Sequence, residues 1–445
     1  MKRFMRNIAV LMILAMVISV VAMGCSNSGN TDNNASQNNK TTQETNGQQE
    51  TKPAEPVTIT YMNFSSSGGN EKNLEKMKEA FESSQSNVKV NIETVGYNDY
   101  FTQLQTRIAG KTASDAFELN YENFVTYAKK NAIAEIDSMI QSSGFDTSVL
   151  NQNALKAFNV DNKQYGLPAS FSVVLLFYNK DLFDKAGVAY PTKDWKWEDE
   201  QKAAEKIRAL GKDIYGIYQP VTFNELYKVV KQNGGNLFND DMTKFTINTP
   251  QNIEAVQFMV DRINESNVMP TQAQMSGMGD WDLFKSGRLG MLITGVWAIP
   301  DFSQNVDFNW DVEVEPGNVE KATHFFSNGL VINKDSEKQD AAFEWIKFMS
   351  SSKEAAKIRI DASWELPAVT YSDVLDSYLK QTPPSNRQAV FDSLDYLVTP
   401  PVIEQMAQMT DIINKGLEEA TFKKKTVKQA MDDIQKQLEE NIKLQ

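Results

Sequence analysis

A chain of 445 residues exceeds one core of ordinary size, so its length alone asks for two lobes. Its 41% hydrophobic and 23% charged residues are those of an ordinary folded protein, and 58 acidic against 45 basic side chains, net −13, argue against nucleic acid as a partner. A single cysteine, Cys25, and a single histidine, His324, exclude an intrachain disulfide, a thiolate metal cluster and a cysteine-plus-histidine site.

Lys2, Arg3 and Arg6 precede an apolar run from Ile8 to Met23 that closes in Ala22-Met23-Gly24-Cys25, so residues 1–24 read as an export signal. The run by itself also suits an uncleaved membrane anchor. The cysteine after a small glycine decides for cleavage: the segment resembles a lipobox, which implies that Cys25 becomes the lipidated first residue of the mature chain and holds it at the outer face of the cell membrane. Losing the signal removes three basic residues and no acidic one, leaving 42 basic against 58 acidic side chains, net −16, so the lipid and not charge must supply the attachment. Residues 25–56 are almost entirely Asn, Gln, Ser, Thr and Gly with scattered charge. Such a segment cannot bury enough apolar area to offset its ordering entropy, and it predicts a disordered tether with a reach of about 30 Å.

Val57 to Asn63 is rich in β-formers and predicts a first strand, followed by the loop Ser65-Ser66-Ser67-Gly68-Gly69-Asn70. Leu74, Met77 and Phe81 then fall three and four apart, the spacing of one helix face, and Val88 to Val95 predicts a second strand. A β-α-β start implies a parallel pair. The Gly/Ser loop lacks the GxxxxGK[ST] spacing, so nucleotide binding is set aside. Ala116 to Leu119 predicts a third strand opening into a loop, Asn120-Tyr121-Glu122-Asn123. Further on, Asn224 and Tyr227 sit three apart on one helix face, the helix Ile253–Ile263 turns Ala255, Phe258 and Met259 inward, and Gly329 to Ile332 predicts a strand. The tail from Pro400 to Leu444 reads as helical, with Met406, Met409, Ile412 and Leu417 spaced for packing.

The stretch from Gly279 to Phe302 changes character three times. Asp280 is placed to cap a short helix carrying Trp281, Leu283 and Phe284, which Gly287 ends in the left-handed conformation. Leu289 to Thr294 predicts a short buried strand, and Gly295 turns the backbone so that Trp297 stands at its carboxyl end, where open α/β sheets place ligands. A core tryptophan at a domain edge fits the spacing equally.

Phe284, Gly287, Met291, Gly295 and Trp297 also resemble the F..G..AM...G.W segment of the family 1 extracellular solute-binding proteins, the group that includes the maltose-binding protein. Tyr97, Tyr100, Leu104, Ile108, Ala109 and Gly110 with Ser114-Asp115 are similar to the family's Y..Y..KL...IA.G..PD., Ser114 replacing the proline. Tyr165-Gly166-Leu167-Pro168 with Leu176-Phe177-Tyr178-Asn179-Lys180-Asp181-Leu182-Phe183 resembles YG.P...S...L.YNK.LF, the most specific match, and Trp195-Lys196-Trp197-Glu198-Asp199 resembles W-T-W-E-[DE], where both tryptophans read as structural. Trp364-Glu365-Leu366-Pro367 resembles the.G.LPA loop without its glycine.

The resemblance implies a two-lobed, type II periplasmic-binding-protein-like α/β fold, with parallel-rich sheets flanked by helices and three hinge crossings. Its lobes are residues 57–171 plus 328–358 and 172–327 plus 359–445. It implies the lipid-anchored component of an ABC importer, monomeric, that captures a sugar between the lobes and hands it to permease subunits, with no cofactor, no metal and no catalysis. Its ligand residues carry over to Asn120, Tyr121 and Glu122, to Ser170, Phe171 and Ser172 on the first crossing, and to Trp364 and Glu365 on the third; Asp280, Trp281 and Trp297 complete the set. Flat aromatics with planar polar side chains suit sugars, which present C–H faces ringed by hydroxyls. Two other readings stay open: a binding protein for an opine or polyamine, marked by a cleft dominated by carboxylates, and an extracellular glycosidase, marked by Asp280 or Glu365 with a raised pKa.

Overall fold

The structure is a computed structural model that describes residues 55–444. The signal segment, Cys25 and the tether as far as residue 54 lie outside the described residues. Twelve strands follow in chain order: β1 (Val57–Asn63), β2 (Val88–Thr94), β3 (Ala116–Asn120), β4 (Asn159–Val160), β5 (Lys163–Gln164), β6 (Gly166–Asn179), β7 (Tyr215–Tyr218), β8 (Leu289–Gly295), β9 (Trp310–Glu313), β10 (Thr323–Ile332), β11 (Leu366–Pro367) and β12 (Leu397–Val398).

β1 pairs in parallel with β2 along its whole length and with β3 at Tyr61 and Met62; the intervening helix Glu71–Ser84 buries Leu74, Met77 and Phe81, the face its spacing predicts. The main sheet runs β2-β1-β3-β10-β6-β8-β7, with β9 and β11 also on β6 and β12 on β10. It is mixed: the pairs β1–β2, β1–β3 and β7–β8 are parallel, whereas β10 and β6 run antiparallel to each other and to their other long neighbours β3 and β8.

β6 organises the molecule. All 14 of its residues are buried, which explains its near-continuous apolar run. Gly166–Val173 pairs with β10, and from Val174 onward the same strand pairs with β8 and then with β9. One strand thus feeds two portions of the sheet, with the changeover between Val173 and Val174.

Helices cover both portions. Trp345 and Phe343 of the helix Gln339–Ser351 lie in the core that holds β1, β6 and β10. A separate core joins the helices Phe223–Gln232, Pro250–Asn264, Met406–Thr421 and Val427–Asn441. The tail is therefore two helices, because Thr426 opens a new one: its side chain accepts from Gln429 N while Gln429 Oε1 accepts from Thr426 N. The residues around Trp197 follow expectation, for the ring is buried, stacks on Phe258 at 4.4 Å and donates Nε1–H to Gln232.

Candidate ligand cleft

A cavity of about 900 Å³ opens where the carboxyl ends of β1, β2, β3 and β8 meet the loop before β11. Its first wall is the loop after β1. Glu118 of β3 accepts the Phe64 and Ser65 amides at 3.1 and 3.0 Å, and Asn63 Oδ1 accepts the Ser66 hydroxyl at 2.6 Å. Gly68 and Gly69 take φ of +91° and +147°, a conformation open to glycine, and point their amides at the Glu71 carboxylate at 2.8 and 3.0 Å. That carboxylate occupies the donors a phosphate would need. Tyr97 packs edge-on to Phe64, and its hydroxyl accepts from Asn120 Nδ2 at 3.2 Å.

The second wall is the loop after the helix Lys353–Asp361. Trp364 lies over the Arg359 guanidinium, and Glu365 accepts hydrogen bonds from Ser170 Oγ and Asn328 Nδ2. Ser363 and Glu365 hold φ of +48° and +21°, strain of about 1–3 kcal/mol each that the surrounding bonds must hold in place.

The third wall is the stretch from Gly279 to Asn305. Trp281 donates Nε1–H to Thr294 Oγ1 at 3.2 Å and meets Phe302 edge-on at 5.5 Å. Trp297 stands edge-on to Phe326 at 5.1 Å. A Cβ on Gly295 would come within 2.0 Å of the Trp297 ring, so only glycine lets the indole fold back across the strand end. Asn224 of the helix Phe223–Gln232 and Asp301 also border the space.

Of the residues expected from sequence, Asn120, Trp281, Trp297, Trp364 and Glu365 come together around this cavity. Ser170 is buried just behind it and acts through Glu365. Phe171 points away and stacks on Phe325, and Ser172 is buried with an unpartnered hydroxyl. The expected loop at 120–123 is instead a strand end running straight into the helix Tyr121–Lys129. Tyr121 consequently borders two other hollows, of about 610 and 370 Å³, with its hydroxyl at Thr399, and Glu122 sits 3.7 Å from His324 Nε2. Of the helical pair, Asn224 reaches the cavity while Tyr227 is buried against His324.

Asp280 does not cap its helix. Gly279 holds that position, and Asp280 is the first helical residue. Burial raises its pKa, yet it does not line the cleft, so it has no place in chemistry on a ligand there. The sequence reading missed the Phe64–Asn70 loop, Tyr97, Phe326 and Asn328. The strand order carried a signal for the first two: β1 and β2 run parallel, so the residues after both strands fall on the ligand-bearing edge. Among the described residues, no group of His, Cys, Asp and Glu could hold a metal ion, and no helix is long and apolar enough to cross a membrane.

A large aromatic-walled cavity at strand carboxyl ends, beside long strands shared by two sheet portions, defines a ligand-binding protein of the periplasmic-binding-protein type. The family model for bacterial extracellular solute-binding proteins matches residues 66–356, and the chain belongs to that family, whose members bind solutes and are not enzymes. It is similar to an ABC substrate-binding protein of Listeria monocytogenes solved in complex with cycloalternan, at 48% identity, a TM-score of 0.83, and coverage of 86% of this chain and 98% of the other. It is also similar to the arabinooligosaccharide-binding protein of Bacillus subtilis, 23% identical over 78% of this chain and 83% of the relative. The maltose-bound MalE3 of T. maritima, 19% identical with a TM-score of 0.74 over 87% and 100% of the two chains, shares the fold.

Proposed function

We propose that this protein captures an oligosaccharide in the cleft between two lobes, residues 57–171 plus 328–358 and residues 172–327 plus 359–445, and presents it to the permease of an ABC importer. The single observation that carries the reading is the convergence of Trp281, Trp297 and Trp364 on one cavity of about 900 Å³. That volume is at the upper end for small-ligand pockets, roughly 300–1,000 Å³, and suits several sugar rings. Each aromatic contact adds about 0.5–1.5 kcal/mol beyond area burial, so three provide useful selectivity. The changeover at Val173/Val174 supports a hinge on β6 at the lobe boundary.

The carboxylates of the cleft argue against a polyamine. Glu365 is taken by Ser170 and Asn328, Asp301 pairs with Lys285 at 2.9 Å, and Asp361 pairs with Lys357 at 2.7 Å. A polycation would have to displace two lysines and compete with the neutral donors on Glu365. The 48% identical relative, bound to cycloalternan, makes a glucose-built oligosaccharide of that kind the first ligand to try. Attachment through a lipid on Cys25 at the outer membrane face completes the reading.

Tryptophan fluorescence of residues 55–445 titrated with cycloalternan, linear maltooligosaccharides and spermidine tests it. A saturable response to a sugar at micromolar concentration is expected. Silence toward sugars with a response to spermidine overturns the carbohydrate assignment. For the anchor, Cys25→Ala should release the chain from the membrane or leave its signal uncleaved, and a chain still processed with an unchanged detergent-phase distribution would remove the lipid.

A further inference from the structure

Behind Trp364 lies a buried cation that ligand contact does not account for. Arg359, on the helix Lys353–Asp361, is 1% exposed, and its guanidinium carbon sits 4.2 Å from the centroid of the Trp364 ring. Its Nε and Nη1 meet no hydrogen-bond acceptor. A guanidinium placed for ion pairing alone presents its fork of donors to a carboxylate, whereas this one presents its plane to an indole. The Trp364 amide donates to the Arg359 carbonyl at 2.9 Å, so backbone and side chain bind the two residues together.

Among the described residues no ion pair joins Arg359 to a carboxylate, but Glu118 feels its charge. The Glu118 carboxylate is fully buried, and burial pushes its pKa up, with Glu365 adding to the rise and the Ser65 backbone and side chain, then Arg359, opposing it. The same carboxylate accepts the Phe64 and Ser65 amides that begin the first wall of the cleft. Arg359 backs the aromatic platform of the second wall directly, while Glu118 ties down the first. A buried guanidinium carries a desolvation cost that an apolar side chain of equal volume would not. Packing alone gives no reason for a charge here.

We propose that Arg359 is a positioning residue for ligand binding, fixing the plane of Trp364 by a cation–π contact. The proposal rests on the cleft reading above. A preorganised platform spares the ligand the cost of ordering it, and the effect belongs in affinity more than in stability.

The test compares cycloalternan affinity by calorimetry and by tryptophan fluorescence in Arg359→Met, Arg359→Lys, the charge-free double variant Arg359→Met with Glu118→Gln, and Trp364→Ala. The double variant leaves no uncompensated buried charge and so keeps the measurement open if the single methionine variant unfolds. Both methionine variants should lose about tenfold in affinity, with Arg359→Lys, which keeps a cation over the ring, recovering most of it. The part of the ligand-induced fluorescence change that Trp364→Ala removes should be reduced in the methionine variants. If Trp364→Ala weakens binding while the double variant binds like the parent, Arg359 is structural and the proposal falls alone. If Trp364→Ala also binds like the parent, the cleft reading fails and takes the proposal with it.

Discussion

Gly295 and Trp297 show how one residue decides another. The indole lies where a Cβ on Gly295 would be, and its far side meets Phe326 edge-on. Trp297→Ala removes a half-buried ring at the cavity margin, so affinity for the bound sugar should fall about tenfold, some 1.4 kcal/mol, while the melting temperature of the empty protein changes little. Gly295→Ala should weaken binding as well by pushing the ring aside. A large fall in melting temperature with unchanged affinity would return Trp297 to the core. The same scale explains which site residues were legible in the sequence. Trp281 and Trp297 were readable because glycine and strand punctuation around them is local, and Trp364 because its loop resembles the family's. Ser170 and Phe171 could not both face one cavity, since neighbouring side chains on a strand point to opposite faces, and the structure sends the serine to Glu365 and the phenylalanine to Phe325. After Asn120 the strand becomes a helix without a loop, so Tyr121 and Glu122 rotate away from the direction Asn120 takes.

Among the elements, β7 and the helix Trp197–Arg208 give the sharpest test. A Cβ on Gly216 would fall 2.3 Å from the Ala204 carbonyl oxygen and 2.5 Å from the Ala204 Cα, both backbone atoms that no rotamer change can move. The strand and helix touch backbone to backbone because both positions are small. Gly216→Ala should cost about 3 kcal/mol, the upper range for overpacking, read as a lower urea midpoint with an unchanged slope. An unchanged midpoint would mean that helix and strand separate freely. β1 was legible because a run of β-formers ends at a Gly/Ser loop, and the inward face of Glu71–Ser84 because Leu74, Met77 and Phe81 recur at helical spacing among wet residues. The tail was read as helical throughout, yet its break at 422–426 depends on Lys423 turning to φ +56° and on the Thr426 capping box, whose T-x-x-Q signature is short enough to hide in a polar stretch. The antiparallel crossings of β6 and β10 were out of reach for a different reason: pairing partners more than a hundred residues apart leave no local pattern.

At the scale of the molecule, ligand and proton both act on how distant pieces of the chain are held together. Sugar that binds only the folded state should raise stability by about 2.7 kcal/mol at a hundred times its dissociation constant, and a melting temperature indifferent to saturating cycloalternan would deny binding. The proton acts at His324, the sole histidine, which is fully buried where Glu122 of the helix Tyr121–Lys129, Tyr227 of the helix Phe223–Gln232 and Phe326 of β10 converge, with Lys228 and Glu225 beyond. Burial lowers its pKa from the ordinary 6.5, with Lys228 adding to the effect and Glu122 and Glu225 opposing it. Between the folded value and 6.5 the unfolded chain binds the extra proton, so stability is level above about 6.5 and falls as pH drops through that interval. Two buried carboxyls act in the opposite sense within the same window. Burial pushes the Glu118 carboxyl up and the Glu315 carboxyl up to about 8, so both favour the folded state on acidification. Asp115, held below its ordinary 3.8 by Ser336, Thr60 and Lys338 against the cost of burial, matters only under that pH. Both proteins share those carboxyls, so the histidine shows as the difference between them: in urea midpoints at about pH 7.5, 6.5 and 5.5 the parent should lose ground steadily to His324→Gln, which has no proton to gain. An identical pH course in the two proteins would take the acid sensitivity away from this histidine and leave its contact with Glu122 as packing alone.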